Sequence, residues 1–315
     1  MPTTVLRAWL HRALDAGAAL VDRPIVTNSR LRTVDVMLLC WFTLLTTATI
    51  AFPLIVGTKD PPGIDSFIYT DALRTLLAGG DPWYVSVSDI TFAAPPPSLL
   101  PFLPFLLVPR DLVGTVGIGV AFAAAVYAVR RLRLPFWWLM FPPLSLAIAA
   151  GSSAPLMLAL LVRGGVVADA AAVVTRVYAG LPLVALGRWR GLLIGAVAIV
   201  VTAPFLGWPT YIADRDHVAA VIADQANGGV SAAALPWLLP VAAVLLILLG
   251  RRRGAWLLVP ALWPGTQSYY ASISLPVLVD APVAAMFLAF QLGPWTLIAG
   301  LGGQVLADFL ARIRR

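Results

Sequence analysis

The sequence predicts an all-α polytopic membrane protein, and three observations carry that expectation. Of its 315 residues 60% are hydrophobic and 12% charged, against roughly 25% charged in soluble domains. Mean hydropathy is +0.89, and the apolar residues fall into long runs. Arginines gather where those runs end, at Arg130 to Arg133, Arg188 to Arg190 and Arg251 to Arg253; the last two clusters read as cytoplasmic by the positive-inside bias of membrane chains, and the first runs against that bias if the segment after Pro97 spans.

Residues 1–33 read as a basic arm carrying Arg7, Arg12, Arg23, Arg30 and Arg32. Trp9, Leu10, Leu14 and Leu20 give part of it the pattern of an interfacial amphipathic helix. The arm lacks the apolar core and small-residue cleavage site of a signal peptide, so the N-terminus is expected in the cytoplasm. The membrane domain then occupies 34–315. Its first run, Val36 to Val56, has the length of about 20 residues that one crossing needs. An external loop is expected over 58–97. The stretch SLLPFLPFLLVPRD after Pro97 is proline-rich and short, and reads as a kinked span or a re-entrant piece. Leu112 to Val129, Pro135 to Ala150, Ala154 to Val162, Ala168 to Leu186 and Leu192 to Leu206 follow, with Gly151-Ser152-Ser153 as a small polar break. A second hydrophilic external loop spans 207–232. Leu235 to Leu249 and the run from Trp256 onward bring the expected total to about 9–11 spans, an even number keeping both basic ends inside.

Loop 58–97 is unlike the rest of the chain. It holds Asp60, Asp65, Asp71, Asp81 and Asp89 against Lys59 and Arg74. Phe67, Leu73 and Leu77 share one helical side, Ile68, Ala72 and Leu76 another, and Gly79-Gly80 ends the run. A short amphipathic helix at the membrane surface is expected, with Asp65 at its start. There an aspartate serves as an N-cap, favoured by the helix dipole, or as a reactive carboxylate.

Composition narrows the chemistry. All 15 acids are aspartates, so any carboxylate chemistry uses Asp. Cys40 is the single cysteine, which excludes an intrachain disulfide. His11 and His217 show no metal-ligand spacing, so no protein-built zinc site is expected. The pI of about 10.2 reflects arginines at run ends, a topology signal and not a nucleic-acid groove.

The order Asp65, Tyr69, Ala72, Leu76, Gly79-Gly80, Asp81-Pro82-Trp83-Tyr84, Phe92 and Pro96-Pro97 resembles the first external loop of the polyprenol-phosphate-mannose-dependent mannosyltransferases of the GT-C superfamily, glycosyltransferase family 87. The likeness continues at Pro143 to Leu146, Gly151 to Leu158, Arg176 to Pro182, Arg188 to Arg190, Gly207 to Pro209 and Tyr269 to Pro276. Ser152 stands where that family often has Gln, Arg176 where it often has Lys, and Ala94-Pro95 where Tyr often precedes the proline pair. The chain is also shorter than typical members.

What the resemblance implies is a GT-C-like bundle in a bacterial plasma membrane, with an extracytoplasmic active site. It implies an inverting transfer of mannose, or a related sugar, from a polyprenyl-phosphate donor to a glycan or glycolipid acceptor. The partners are then these substrates and membrane lipids, not nucleic acid, and no cofactor or metal is expected. Asp65 takes the place of the family's catalytic base. Arg176, Arg74 and Arg163 are candidates for the donor phosphate, since a guanidinium pairs phosphate oxygens bidentately. Each has a plainer reading: Arg176 snorkels to an interface, Arg74 pairs with Asp71 one turn away, and Arg163 is an end-of-helix charge. Tyr69, Asp81, Trp83, Tyr84, Tyr269 and Tyr270 are candidates for sugar or acceptor contacts, against an aromatic belt and an ordinary Gly-Gly-Asp-Pro turn. Competing classes are a lipid-linked sugar flippase, a small-solute transporter, or a catalytically silent membrane subunit of the same fold.

Overall fold

The computed structural model describes residues 33–56, 60–225, 229–290 and 292–313. The basic arm, apart from Thr33, lies outside the described residues, as do Lys59, Arg314 and Arg315. The described chain is helical almost throughout, and the strands among the described residues are β1 (Ser86–Val87) and β2 (Ile90–Thr91), a two-residue antiparallel pair in loop 58–97.

Among the described residues three helices are long and apolar enough to cross a membrane: α1 (Thr33–Val56), α3 (Val113–Arg131) and α15 (Pro294–Ile313). That architecture is compatible with an all-α membrane protein. Fewer helices reach spanning length than the expected 9–11, because glycine, proline and one arginine cut the remaining apolar sequence into short pieces. Between them run α2 (Ile64–Leu77), α4 (Pro142–Ala149), α5 (Ala154–Arg163), α6 (Val166–Thr175), α7 (Gly180–Leu186) and α8 (Trp189–Thr202). After these come α9 (Trp208–Ala213), α10 (Arg215–Gln225), α11 (Leu239–Leu248), α12 (Arg251–Leu262), α13 (Leu275–Leu278) and α14 (Pro282–Leu288).

The expected amphipathic helix of the first loop is α2. Its inward face is Ile68, Ala72 and Leu73 with Asp65 and Tyr69, while Leu77, expected on an apolar side, is 64% exposed. The N-cap reading of Asp65 does not hold. Gly63, at φ 77°, occupies the cap, and the Gly63 and Asp65 N–H groups donate to the Ala149 and Ala150 carbonyls, each at 2.9 Å. Two of the helix's orphan donors are thereby met by the end of α4, and the Asp65 carboxylate is left for other partners.

This junction is built by absent side chains. A Cβ on Gly63 would collide with the Gly114 backbone, and one on Gly117 would overlap the Ser66 hydroxyl. Ser66 Oγ itself donates to the Gly151 carbonyl at 2.7 Å. The start of α2 is thus wedged between α3 and the turn after α4, and overpacking such a contact costs about 1–3 kcal/mol.

The Pro96–Leu107 stretch forms 3-10 turns and packs Leu99, Phe102 and Phe105 beneath α2. Arg74 donates to the Val108 carbonyl at 3.4 Å, and Arg110 meets Asp71 at 2.9 Å. The segment packs along α2, its Leu99, Phe102 and Phe105 in the same apolar cluster as Ile68 and Leu73. The second hydrophilic loop is not irregular; its described part carries α9 and α10, which fold back on the first loop. Tyr211 packs on Trp83, ring centroids 5.2 Å apart, and Gln225 donates to the Thr91 carbonyl at 2.9 Å.

The molecule has two unlike poles. At one, the two loops meet around the start of α2. At the other, Arg188 pairs with Asp169, Arg251 donates to the Ala185 carbonyl and Arg253 pairs with Asp308. Helix α6 connects them, with Asp169 in its first turn and Arg176 just past its end, a rise of about 15 Å. Helix α3 begins against Gly63 and carries Arg130 and Arg131 about 28 Å away at its far end. Between the poles, Phe42 packs with Trp137, Trp138 and Phe141 in the larger apolar core.

Candidate active site

The loop pole encloses a cavity of about 430 Å³, within the range of small-ligand pockets. Asp65, Tyr69 and Arg176 line it together with Tyr178, Tyr269 and Tyr270. These residues come from α2, the break after α6 and the 3-10 turn Ser268–Ser274. Valines 173, 174 and 177 and Ile199 of α8 give it an apolar wall, and Trp208, Tyr211 and Gln225 close the side formed by the second loop.

Arg176 occupies this place because α6 stops one residue before it. At φ −149° and ψ 113° its backbone is extended, and a 3-10 turn over Val177–Ala179 follows. The side chain is buried, as is that of Asp65. Arg176 Nε donates to Ser153 Oγ at 2.9 Å and Nη2 to Ser152 Oγ at 3.4 Å. The guanidinium carbon lies 5.0 Å from the Tyr69 ring centroid, and Nη2 is 4.0 Å from Asp65 Oδ2. Tyr269 Oη donates to that same carboxylate oxygen at 2.9 Å.

The charges are close without being joined. At 4.0 Å their attraction is about 4 kcal/mol for an effective dielectric of about 20. Desolvation costs several kcal/mol per ion, so the hydroxyls of Ser152, Ser153 and Tyr269 are needed to hold both groups. Burial pushes the Asp65 carboxyl above the usual aspartate range; Arg176, Tyr269 and Ser152 pull it part of the way back. A carboxylate so placed is a stronger base than a solvated aspartate, which suits proton abstraction.

Several expected site residues lie elsewhere. Arg74 pairs with Asp71 at 3.2 Å on the outer side of α2, and Arg163 is an exposed charge ending α5; neither lines the cavity. Trp83 is fully buried, with Nε1 donating to the Ala94 carbonyl at 3.2 Å. It is core beneath the two loops and offers no ring face to a sugar. Asp81 caps the turn after α2 by accepting from the Trp83 N–H at 2.9 Å. Tyr84 is 58% exposed and stacks on His217. His217 also bonds the Trp83 carbonyl at 3.2 Å. It fastens α10 to the first loop.

Residues that sequence reasoning passed over include Ser153, Tyr178, Trp208 and Gln225. The Gly-Ser-Ser break marked a polar interruption, but nothing in its spacing joined it to Arg176. Among the described residues no group of three or more His, Cys, Asp or Glu side chains comes together. No family model, curated protein or solved structure matches this chain.

Proposed function

We propose that the chain is a polytopic, inverting glycosyltransferase that moves mannose or a related sugar from a polyprenyl phosphate to an extracytoplasmic glycan or glycolipid. The observation that carries the reading is the buried Asp65 held 4.0 Å from the buried Arg176, side by side in the lining of one cavity. Asp65 is the general base: it takes the acceptor hydroxyl proton as that oxygen bonds the sugar's anomeric carbon. The bond from that carbon to the phosphate oxygen breaks, its electron pair stays on the phosphate, and Arg176 stabilises the departing charge. A single carboxylate at the reaction centre suits inversion, whereas retaining or hydrolytic glycosidases use a matched pair.

The apolar wall supports a lipid-borne donor. Ile199 reaches the cavity while Leu193, Val197, Val200 and Val201 of the same helix are more than half exposed. The lipid tail lies along this helix, with the phosphate at the polar end of the wall. Placing the arginine pole in the cytoplasm puts the cavity on the outer side, in keeping with the positive-inside bias.

The test is reconstitution of the purified chain in vesicles with polyprenyl-phosphate-mannose. Donor is consumed only when an acceptor glycan or glycolipid is added. Donor that crosses the bilayer unconsumed marks a flippase, and donor bound but never consumed under any acceptor marks a silent subunit; either result removes the transferase.

A further inference from the structure

Tyr178 has no part in the proton transfer, yet its position is unusual. It is 3% exposed, it lines the cavity, and its hydroxyl has no hydrogen-bond partner among the described residues. Buried hydroxyls are nearly always bonded, because leaving one unmade forfeits its hydration without return. The Thr70, Ser272 and Trp137 polar atoms are also unpartnered, but those residues do not line the cavity; Trp208 Nε1 is unpartnered and does line it, on the side formed by the second loop, whereas Tyr178 lies two residues from Arg176. The ring of Tyr178 is fixed by packing on Tyr270 and Trp263, with centroids 4.7 and 5.8 Å away. A hydroxyl held this rigidly is a pre-set donor.

The backbone explains what it is set for. Arg176 and Tyr178 flank Val177 at the break between α6 and α7, and both line the same cavity. Ser153 and Ser152 accept from Nε and Nη2 of Arg176, which fixes the guanidinium as firmly as the tyrosine. A cation and a neutral O–H donor two residues apart, in a water-poor pocket, match an oxyanion with at least two acceptor oxygens. A sugar hydroxyl would use the donor without using the cation. A carboxylate carries its two acceptor oxygens in one plane, whereas a tetrahedral phosphate, with oxygens on several sides, turns two of them to Arg176 and Tyr178 while keeping the others away from Asp65.

We infer that Tyr178 is a phosphate-binding residue that donates its hydroxyl to the oxyanion held by Arg176. The inference rests on the transferase reading for the source of that phosphate, a lipid-linked headgroup, but not for the chemistry of the donor pair.

The experiment compares the parent chain in detergent with Tyr178→Phe, which keeps the ring packing and removes only the oxygen. Binding of farnesyl phosphate, farnesol and inorganic phosphate is measured by titration. The parent binds farnesyl phosphate at least tenfold more tightly than farnesol. Tyr178→Phe loses about tenfold for farnesyl phosphate and nothing for farnesol, and the unchanged farnesol affinity shows that the variant is folded. Inorganic phosphate that competes with farnesyl phosphate in the parent identifies the headgroup as the recognised part. If Tyr178→Phe keeps the full preference for the phosphate, or the parent shows no preference, the inference is overturned. A chain that binds phosphate through Tyr178 and transfers no sugar breaks the transferase reading alone; active transfer with an unaltered donor KM in Tyr178→Phe breaks this inference alone.

Discussion

The two poles of this molecule each set an arginine beside a buried aspartate, and they use the pair in opposite ways. At the arginine pole, Arg188 is in direct contact with Asp169 and also donates to the Leu161 carbonyl at 3.1 Å. Those charges consume one another, and the result ties α6 to the start of α8. At the loop pole, Arg176 and Asp65 stand 4.0 Å apart and each takes its short hydrogen bonds from serine or tyrosine hydroxyls. The same two residue types therefore make a structural clasp when saturated and, under the proposed function, a reactive pair when held apart beside neutral hydroxyls. The second lines the cavity of the loop pole.

Replacing each arginine in turn sharpens that contrast most. Arg176→Gln removes the cation opposite the leaving phosphate and lowers transfer by about 100-fold or more, the usual loss for one preorganised electrostatic donor. Arg188→Gln strands the Asp169 carboxylate and destabilises the protein by about 3 kcal/mol, while the folded fraction transfers sugar at the parental rate. Transfer assays and detergent thermal melts on both variants read the two effects separately.

Acidity probes the reactive pole by itself. With the Asp65 carboxyl raised above its ordinary range by burial, the base keeps its proton to higher pH than a solvated aspartate does. Donor consumption therefore rises with pH along a limb lying above the usual aspartate range. Arg176 is the largest influence pulling that value down, so in Arg176→Gln the residual activity moves its limb to higher pH. The stability sign is opposite. Because folding raises this pKa, the proton bound by Asp65 favours the folded state at low pH, and that contribution disappears as pH climbs through the raised value.

The smallest effect is expected at Arg74, whose partner Asp71 also meets Arg110. Arg74→Ala costs at most about 1 kcal/mol, as half-exposed ion pairs do, and leaves donor KM unchanged. A raised KM in that variant would return Arg74 to the phosphate site.

The difference between the poles was only partly legible in the sequence. Apolar runs located α1, α3 and α8, and Gly79-Gly80 marked the end of α2, because periodicity and helix stops are local signals. The singularity of Asp65 was also visible, since acids are scarce outside the loops. Its surroundings were not. Tyr269 reaches it from 204 positions away, and Ser153 reaches Arg176 from 23; neither contact leaves a mark in spacing. Trp83 looked like a sugar platform because aromatic residues in a loop read alike whether they face a ligand or a core. The second loop showed its charge but not the two helices that clasp the first.

The account stands or falls on whether Asp65 carries the proton. Asp65→Asn preserves the shape of the side chain and its bond from Tyr269 but leaves the buried Arg176 without its counter-charge, so the variant is expected to fold with a lowered melting temperature and to bind donor. Its rate of sugar transfer from labelled polyprenyl-phosphate-mannose, measured in the same vesicles as the parent, is predicted to fall by about 1,000-fold or more. Transfer at the parental rate by folded Asp65→Asn would contradict the account.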